Sequence, residues 1–292
     1  KNYMTLKGYY GKLLDINLTT GEIKKVKIPE EDIKNFIGGR GLGTKILWDK
    51  LPHPGIDPLS PENPLLFMPG PFSGLPIPSS SRTCVVTKSP RTSAVNPKYE
   101  YGSTVSYSNM GGFFGPEIRY AGYDGICITG KASKPVYIKI NDDKVEICDA
   151  KAFWGMGTDE FDKRFVEELG DRKYESCYIG PAGENLVPMA CIINTAARAA
   201  GRGGTGCIMG SKNLKAIAIK GTQSPPLADQ KRYHELLSKI RTSFRENNEG
   251  VKWWRYGGTA NALASSSKNG TQAVKNYSEG TFAEIEKIGT EA

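Results

Sequence analysis

The sequence predicts an α+β protein: a strand-rich, turn-rich region over residues 1–222, followed by the beginning of a helical region over residues 223–292. In the first region, short apolar segments rich in β-branched residues are separated by glycine, proline and asparagine turns. In the second, apolar residues recur with the period of a helix. The 34 glycines and 18 prolines favour tight turns and close backbone approaches over a helical bundle.

Two β-hairpins are the clearest local features. Leu13–Asn17 and Ile23–Ile28 flank a Thr-Thr-Gly turn, and Val136–Ile140 and Val145–Cys148 flank an Asn-Asp-Asp turn. We expect further short strands at Leu65–Met68, Thr83–Thr87, Gly125–Thr129, Ser176–Ile179, Met189–Ile193 and Lys215–Lys220.

Few helices are expected before residue 222. One spans Glu31–Phe36 and continues toward Trp48, and another spans Thr158–Leu169 and ends at Gly170. Beyond the boundary, Asp229–Asn247 is predicted to be an amphipathic helix with one apolar face made of Tyr233, Leu236, Leu237, Ile240 and Phe244. Shorter helices are expected at Lys252–Leu263 and Thr281–Ile288, and this second region is expected to be cut short.

Charge and cysteine usage exclude several classes of function. The net charge is +8, but the basic residues are scattered among acidic ones, which disfavours a nucleic-acid or membrane surface. Six cysteines occur singly, a spacing unsuited to zinc or an iron–sulfur cluster. We expect reduced, mostly buried thiols. No signal peptide and no apolar stretch long enough for a bilayer is apparent, so we expect a cytoplasmic protein.

The segment Arg198–Gly206 is the strongest candidate for binding chemistry. Its glycines let the backbone approach a ligand, and Arg198 and Arg202 supply planar cations suited to phosphate. Gly201, Gly203 and Gly206 also match a G-x-G-x-x-G pattern. A dinucleotide site requires that pattern to open a helix, whereas we expect a turn leading to the strand Lys215–Lys220. A purely structural glycine turn remains an alternative.

Three other turns carry similar residues: Ser79–Arg82, Ser108–Gly115 and Gly38–Gly43. Each has an ordinary explanation, respectively an exposed polar loop, a turn and a glycine cap. Together they indicate a surface that holds a large, multiply charged cofactor, since no catalytic metal, P-loop or nucleophile motif accompanies them.

Seven segments, in order along nearly the whole chain, resemble the N-terminal domain of the aldehyde:ferredoxin oxidoreductase family. They are Gly11–Gly21, Phe36–Leu42, Asp57–Asn63, Ala121–Gly125, Ile179–Asn185, Arg198–Gly204 and Met209–Ala216. The resemblance implies two β-sheets forming a base for a tungsten (or molybdenum) ion held by two pterins, with Mg²⁺ bridging the pterin phosphates. It implies that cofactor contacts come from Arg82, Asn109, Gly111, Arg198, Ala199, Gly201 and Arg202. It also implies that Mg²⁺ is bound by the backbone carbonyls of Asn109 and Ala199.

The resemblance further implies oxidation of an aldehyde to a carboxylic acid, with electrons passing through a [4Fe–4S] cluster to ferredoxin. The family's cluster ligands and acid–base residues have no counterpart in this sequence, so catalytic residues are unassigned. We therefore expect the chain to act with the remainder of its polypeptide or a second subunit, as a homo-oligomer. Three alternatives stay open: an aromatic acyl-CoA reductase-type member, a non-catalytic pterin-binding module and a nucleotide-binding enzyme. The segment Arg91–Tyr107 is longer than usual in the family, which predicts an altered pocket wall near Asn109.

Overall fold

The computed structural model describes residues 6–93, 100–195, 198–246 and 248–290. Its contacts divide the chain into two units, Lys1–Ala228 and Asp229–Ala292. Two parts of these predictions lie outside the described residues: Asn247, at the end of one predicted helix, and residues 94–99, inside the segment Arg91–Tyr107. In the described part of the chain, no helix is long and apolar enough to cross a membrane.

Six strands of the described residues form the first sheet, which we call sheet A. They are β1 (Lys12–Asn17), β2 (Glu22–Lys27), β3 (Leu65–Pro69), β4 (Thr83–Ser93), β5 (Ser103–Met110) and β6 (Gly125–Thr129). Their spatial order is β2-β1-β6-β3-β4-β5, and β6 runs parallel to β1. The first predicted hairpin is confirmed as β1–β2. Strands β4 and β5 extend into the segment Arg91–Tyr107, which is longer than usual in the family.

Sheet B contains another six strands within the described ranges. They are β7 (Val136–Asn141), β8 (Lys144–Asp149), β9 (Glu175–Tyr178), β10 (Ile192–Asn194), β11 (Arg198–Ala200) and β12 (Leu214–Lys220), in the order β11-β10-β9-β12-β7-β8. The second predicted hairpin is confirmed as β7–β8. The predicted strand from Met189 begins only at Ile192. The Ala190 carbonyl accepts a hydrogen bond from the Gly206 N–H, 3.0 Å away, and does not join the ladder.

The two sheets pack face to face. Leu14, Phe67 and Ile126 of sheet A share one buried cluster with Ile138 and Ile217 of sheet B. Because every second residue of a strand points to the same face, the opposite faces are left for helices. The family resemblance therefore implied the right architecture: two mixed sheets with helices, an α+β fold.

Six α-helices of the first unit, within the described residues, surround these sheets. They are α1 (Glu30–Phe36), α2 (Gly39–Lys50), α3 (Phe114–Tyr120), α4 (Thr158–Leu169), α5 (Pro181–Glu184) and α6 (Thr205–Ser211), with a single 3₁₀ turn at Lys151–Phe153. Helix α2 covers the outer face of sheet A, and α4 covers that of sheet B. Helix α4 ends as predicted, because Gly170 adopts φ +65°.

The prediction of one helix from Glu31 toward Trp48 was wrong. Ile37 adopts φ +65°, a left-handed conformation that a β-branched residue rarely takes, and it ends α1. Gly38 is extended and precedes the first turn of α2. The chain therefore makes two helices separated by a sharp turn.

The second unit has three α-helices within its described residues: α7 (Gln230–Arg245), α8 (Glu249–Gly257) and α9 (Leu263–Lys268). The Asp229 side chain caps α7 by accepting a hydrogen bond from the Arg232 N–H. The predicted range Lys252–Leu263 is helical, but it is divided: α8 ends where Gly258 adopts φ +54°, and a 3₁₀ segment, Gly258–Ala262, leads into α9. The predicted helix Thr281–Ile288 was wrong, since only Ile285–Lys287 is helical there, as a 3₁₀ turn.

Candidate functional site

A polar cavity of about 510 Å³ lies in the first unit. It is lined by Ser79, Ser81, Arg82, Asn109, Gly111, Gly112, Arg198 and Ala199. Asn109 lies in β5, the edge strand of sheet A, whereas Arg198 and Ala199 lie in β11, the edge strand of sheet B. The cavity therefore forms where the edges of the two sheets meet, with the loop before β4 as its third wall.

Two consecutive glycines allow this close approach. A Cβ on Gly112, which has φ +91°, would lie 2.0 Å from Asn194 Oδ1, and a Cβ on Gly111 would lie 3.5 Å from Arg198 Cδ. A side chain at position 112 would therefore push the end of β5 away from β10 and β11. Glycine here is required by the spacing of the two walls as well as by the backbone conformation.

The charge in the cavity is positive. Arg82 and Arg198 are both exposed, and no carboxylate is among the lining residues. Within the parts of the chain that the structure describes, neither guanidinium forms an ion pair with an acidic side chain. Two unpaired guanidinium groups beside open backbone favour an anion with several oxygens, such as a phosphate.

Cys84 lies directly opposite Asn109 in the β4–β5 register. Burial raises the pKa of its thiol to about 11, although the charge of Arg40 acts in the opposite direction. The thiol therefore remains protonated at neutral pH in the protein alone, and Cys84 is not among the residues that line the cavity. The cavity offers oxygen ligands and N–H donors.

Asn194 is a further residue of this region that sequence reasoning missed. It is fully buried, and its Nδ2 donates to the Ser176 carbonyl at 2.7 Å and to Thr195 Oγ1 at 3.1 Å. Its Oδ1 has no hydrogen-bond partner and faces Gly112. The residue belongs to a short strand, Ile-Ile-Asn, whose sequence carries no signal of a site.

The structure brings together five of the seven predicted cofactor residues: Arg82, Asn109, Gly111, Arg198 and Ala199. Gly201 and Arg202 do not line the cavity. Both are exposed in the following loop, where the Arg202 N–H donates to Ser108 Oγ at 3.1 Å. The two predicted carbonyl ligands for Mg²⁺, those of Asn109 and Ala199, belong to residues that line the same cavity.

The turn Gly38–Gly43 is not part of the cavity. Arg40 stacks on the ring of Tyr107, 4.4 Å from its centroid, and lines a separate hollow together with Trp48. Its expected role as a glycine cap also changes, because Gly38 precedes a helix instead of ending one.

The prediction that the glycine turn leads to the strand at Lys215–Lys220 without opening a helix was wrong. The glycines of 201–204 do follow a strand, β11, and do precede a helix, α6. However, the pairings β11–β10, β10–β9 and β9–β12 are all antiparallel, so β12 runs antiparallel to β11. A dinucleotide-binding βαβ unit needs parallel strands, and this topology excludes one.

Comparison with known proteins places the chain in a family of metal–pterin oxidoreductases. The family model described as "Aldehyde ferredoxin oxidoreductase, N-terminal domain" matches residues 13–221. The chain belongs to the aldehyde ferredoxin oxidoreductase family.

The similar proteins are longer than this chain. A tungsten-containing aldehyde ferredoxin oxidoreductase of Pyrococcus furiosus is 41% identical over 279 residues, covering 94% of this chain and 44% of the relative. The WOR-like subunit of an aliphatic sulfonate oxidoreductase from the same organism is 41% identical over 85% of this chain and 41% of its own length. The active site complex BamBC of benzoyl coenzyme A reductase, solved with 1,5-dienoyl-CoA, contains a chain with a TM-score of 0.76 and 38% identity, covering 83% of this chain and 35% of that one. The chain thus spans less than half the length of these relatives.

Proposed function

We propose that this chain is the cofactor-binding part of a tungsten- or molybdenum-dependent bis-pterin oxidoreductase that oxidises an aldehyde to a carboxylic acid. Electrons would leave through a [4Fe–4S] cluster to ferredoxin, with the cluster ligands supplied outside the residues of this chain. The observation that carries the proposal is the cationic cavity between the two sheet edges, in a chain whose relatives are named for tungsten and aldehyde oxidation.

The residues of the cavity fit such a cofactor. Its volume of about 510 Å³ lies in the range of about 300–1,000 Å³ typical of ligand sites. Arg82 and Arg198 supply guanidinium groups for the pterin phosphates, and Gly111 and Gly112 leave backbone free for close contact.

Mg²⁺ between two phosphates also fits this donor set. Magnesium prefers oxygen ligands and phosphate oxygens, and we propose that the carbonyls of Asn109 and Ala199 contribute to it. Gly201 and Arg202 would act from the loop that follows, outside the cavity lining. The bound tungsten or molybdenum centre supplies the two-electron chemistry at the substrate carbon. The residues of this chain bind and orient the cofactor.

We propose residues 1–222 as the cofactor domain and 223–292 as the beginning of a helical domain. The partners would be ferredoxin and the remaining polypeptide or a second subunit, in a homo-oligomer. Relatives named as a subunit and as a two-component complex support the idea that members of this family act in assemblies. A cytoplasmic location is part of the same proposal.

The test is metal and pterin content after purification without oxygen. Tungsten and molybdenum would be measured by elemental analysis, and pterin by fluorescence, for the wild type and for Arg82→Ala combined with Arg198→Ala. Arg172→Ala, which removes an exposed arginine outside the cavity, is the matched control. We expect the double variant to lose most of its metal and the control to keep it. If the metal content of the double variant stayed near that of the wild type, the assignment of this cavity as the cofactor site would be wrong.

One observation favours a second function, a tungsten-dependent aromatic acyl-CoA reductase. The benzoyl coenzyme A reductase complex has the same fold over 83% of this chain at a TM-score of 0.76. The cofactor would bind in the same cavity, and only the reaction that it catalyses would differ. The complete protein assayed with aldehydes and oxidised ferredoxin, and in parallel with an aromatic acyl-CoA and a low-potential reductant, separates the two functions.

A further inference from the structure

The two main walls of the cavity belong to different sheets. Strand β5 pairs with β4, and β11 pairs with β10, but β5 and β11 are not hydrogen-bonded neighbours in either sheet. The distance between Asn109 and Arg198 is therefore not set by a β-ladder. Side-chain contacts must fix it.

Two serines of β5 make such contacts with the loop that follows β11. Ser106 Oγ donates to the Gly203 carbonyl at 3.0 Å, and Ser108 Oγ accepts from the Arg202 N–H at 3.1 Å. Both serines are buried, with 8% and 4% of their surface exposed. They lie two residues apart, so their side chains point to the same face of β5. Neither serine lines the cavity.

The loop is shaped to receive these hydroxyls. Gly203 has φ +75°, and a Cβ there would lie 2.0 Å from Ser106 Oγ. The next residue, Gly204, has φ +68°, and its Cβ would lie 2.0 Å from the Pro188 carbonyl. The loop is thus confined on two sides, and a side chain at either glycine would separate it from β5.

We propose that Ser106 and Ser108 are positioning residues. Their two hydroxyls form a clamp that holds the loop following β11, residues 201–204, against β5. The clamp keeps Arg198 and Ala199 at the spacing from Asn109 that a phosphorylated ligand requires. This inference rests on the proposed function for the identity of the ligand. The contacts themselves are independent of it.

The experiment compares Ser106→Ala, Ser108→Ala and their combination with Ser211→Ala. Ser211 is the matched control because it is equally buried, at 4% exposed, and its hydroxyl donates to the Ile208 carbonyl at 2.9 Å without lining the cavity. The readouts are amide hydrogen exchange of residues 198–204 and the rate at which metal and phosphate are lost on dilution of the protein purified without oxygen.

We expect each single variant to lose cofactor about fivefold faster and the double variant about thirtyfold faster, since each hydrogen bond contributes on the order of 1 kcal/mol. Exchange in residues 198–204 should accelerate in the same order, with Ser211→Ala at the wild-type rate. Unchanged exchange, or faster exchange with cofactor retention equal to that of Ser211→Ala, would overturn the clamp. If the wild type holds no metal or pterin, the proposed function fails instead, and the exchange comparison alone decides for or against the clamp.

Discussion

The buried ion pair between Glu184 and Lys215 allows the sharpest stability prediction. Lys215 Nζ lies 2.5 Å from Glu184 Oε1, and the two side chains are 0% and 3% exposed. The ammonium also donates to the Met156 carbonyl at 3.2 Å, and Glu184 Oε2 accepts from the Gly155 N–H at 2.7 Å. The pair thus connects α5, β12 and the turn before α4, and Lys215 Nζ lies 5.0 Å from the centroid of the Phe161 ring.

Glu184→Gln should destabilise the protein by about 3 kcal/mol. Breaking a buried pair by removing one charge costs about 3–5 kcal/mol, because the other charge stays buried without compensation. Glutamine retains an acceptor, which favours the lower figure. The combined change Glu184→Gln with Lys215→Met removes both charges, and it should recover most of the lost stability.

The pH dependence provides an internal check. Burial lowers the pKa of Lys215, and the Glu184 hydrogen bond opposes that shift. In Glu184→Gln the pKa of Lys215 falls further, so the folded state binds fewer protons than the unfolded state. Stability of the variant therefore rises as pH increases toward the ordinary lysine pKa of 10.5.

Urea unfolding followed by circular dichroism measures these differences. Glu160→Gln is the control, because Glu160 forms an exposed pair with Arg164, with an oxygen–nitrogen distance of 3.6 Å. Such surface pairs contribute about 0–1 kcal/mol. If Glu184→Gln were no more destabilising than Glu160→Gln, the buried pair would not have the role assigned to it.

Two further predictions concern the cavity wall and a buried carboxyl. Gly112→Ala should lower both metal content and thermal stability, because its Cβ would meet Asn194 Oδ1. Gly70→Ala should change neither, because a Cβ there has nothing within 4 Å and Gly70 does not line the cavity. Elemental analysis and thermal melts compare the two variants. Burial raises the pKa of Glu117 from 4.5 to about 7, although the Gly221 N–H hydrogen bond opposes this. The folded state therefore binds the proton more tightly than the unfolded state, so stability should decline as pH rises from about 4.5 to 7. Glu117→Gln should flatten that slope in melts across the range, and an unchanged slope would refute the assignment.

Hairpins and helix ends could be predicted from the sequence, because a few neighbouring residues determine them. The hairpins β1–β2 and β7–β8 follow from alternating residues around turn sequences, and the end of α4 follows from Gly170. The break at Ile37 could not be predicted, because its left-handed backbone contradicts the conformational preference of a β-branched residue. The insertion of β6 between β1 and β3 is likewise a long-range pairing that no sequence window contains.

The site could be predicted only in part for the same reason. Glycine and arginine turns indicated an anion-binding surface, and the family resemblance selected Arg82, Asn109 and Arg198 among them. Asn194 and Ser106 were missed, and Ser108 was noted only as part of the turn Ser108–Gly115. Their contacts join residues about 80–100 positions apart in ordinary strand sequences. Such contacts become visible only when both sheets are assembled.

The most direct test of the central claim is a crystal structure of the protein purified without oxygen, with diffraction data collected on both sides of the tungsten absorption edge. The account predicts an anomalous peak beside the polar cavity, with phosphate density between Arg82 and Arg198. Phosphate density elsewhere, or a metal bound away from the edges of β5 and β11, would contradict it.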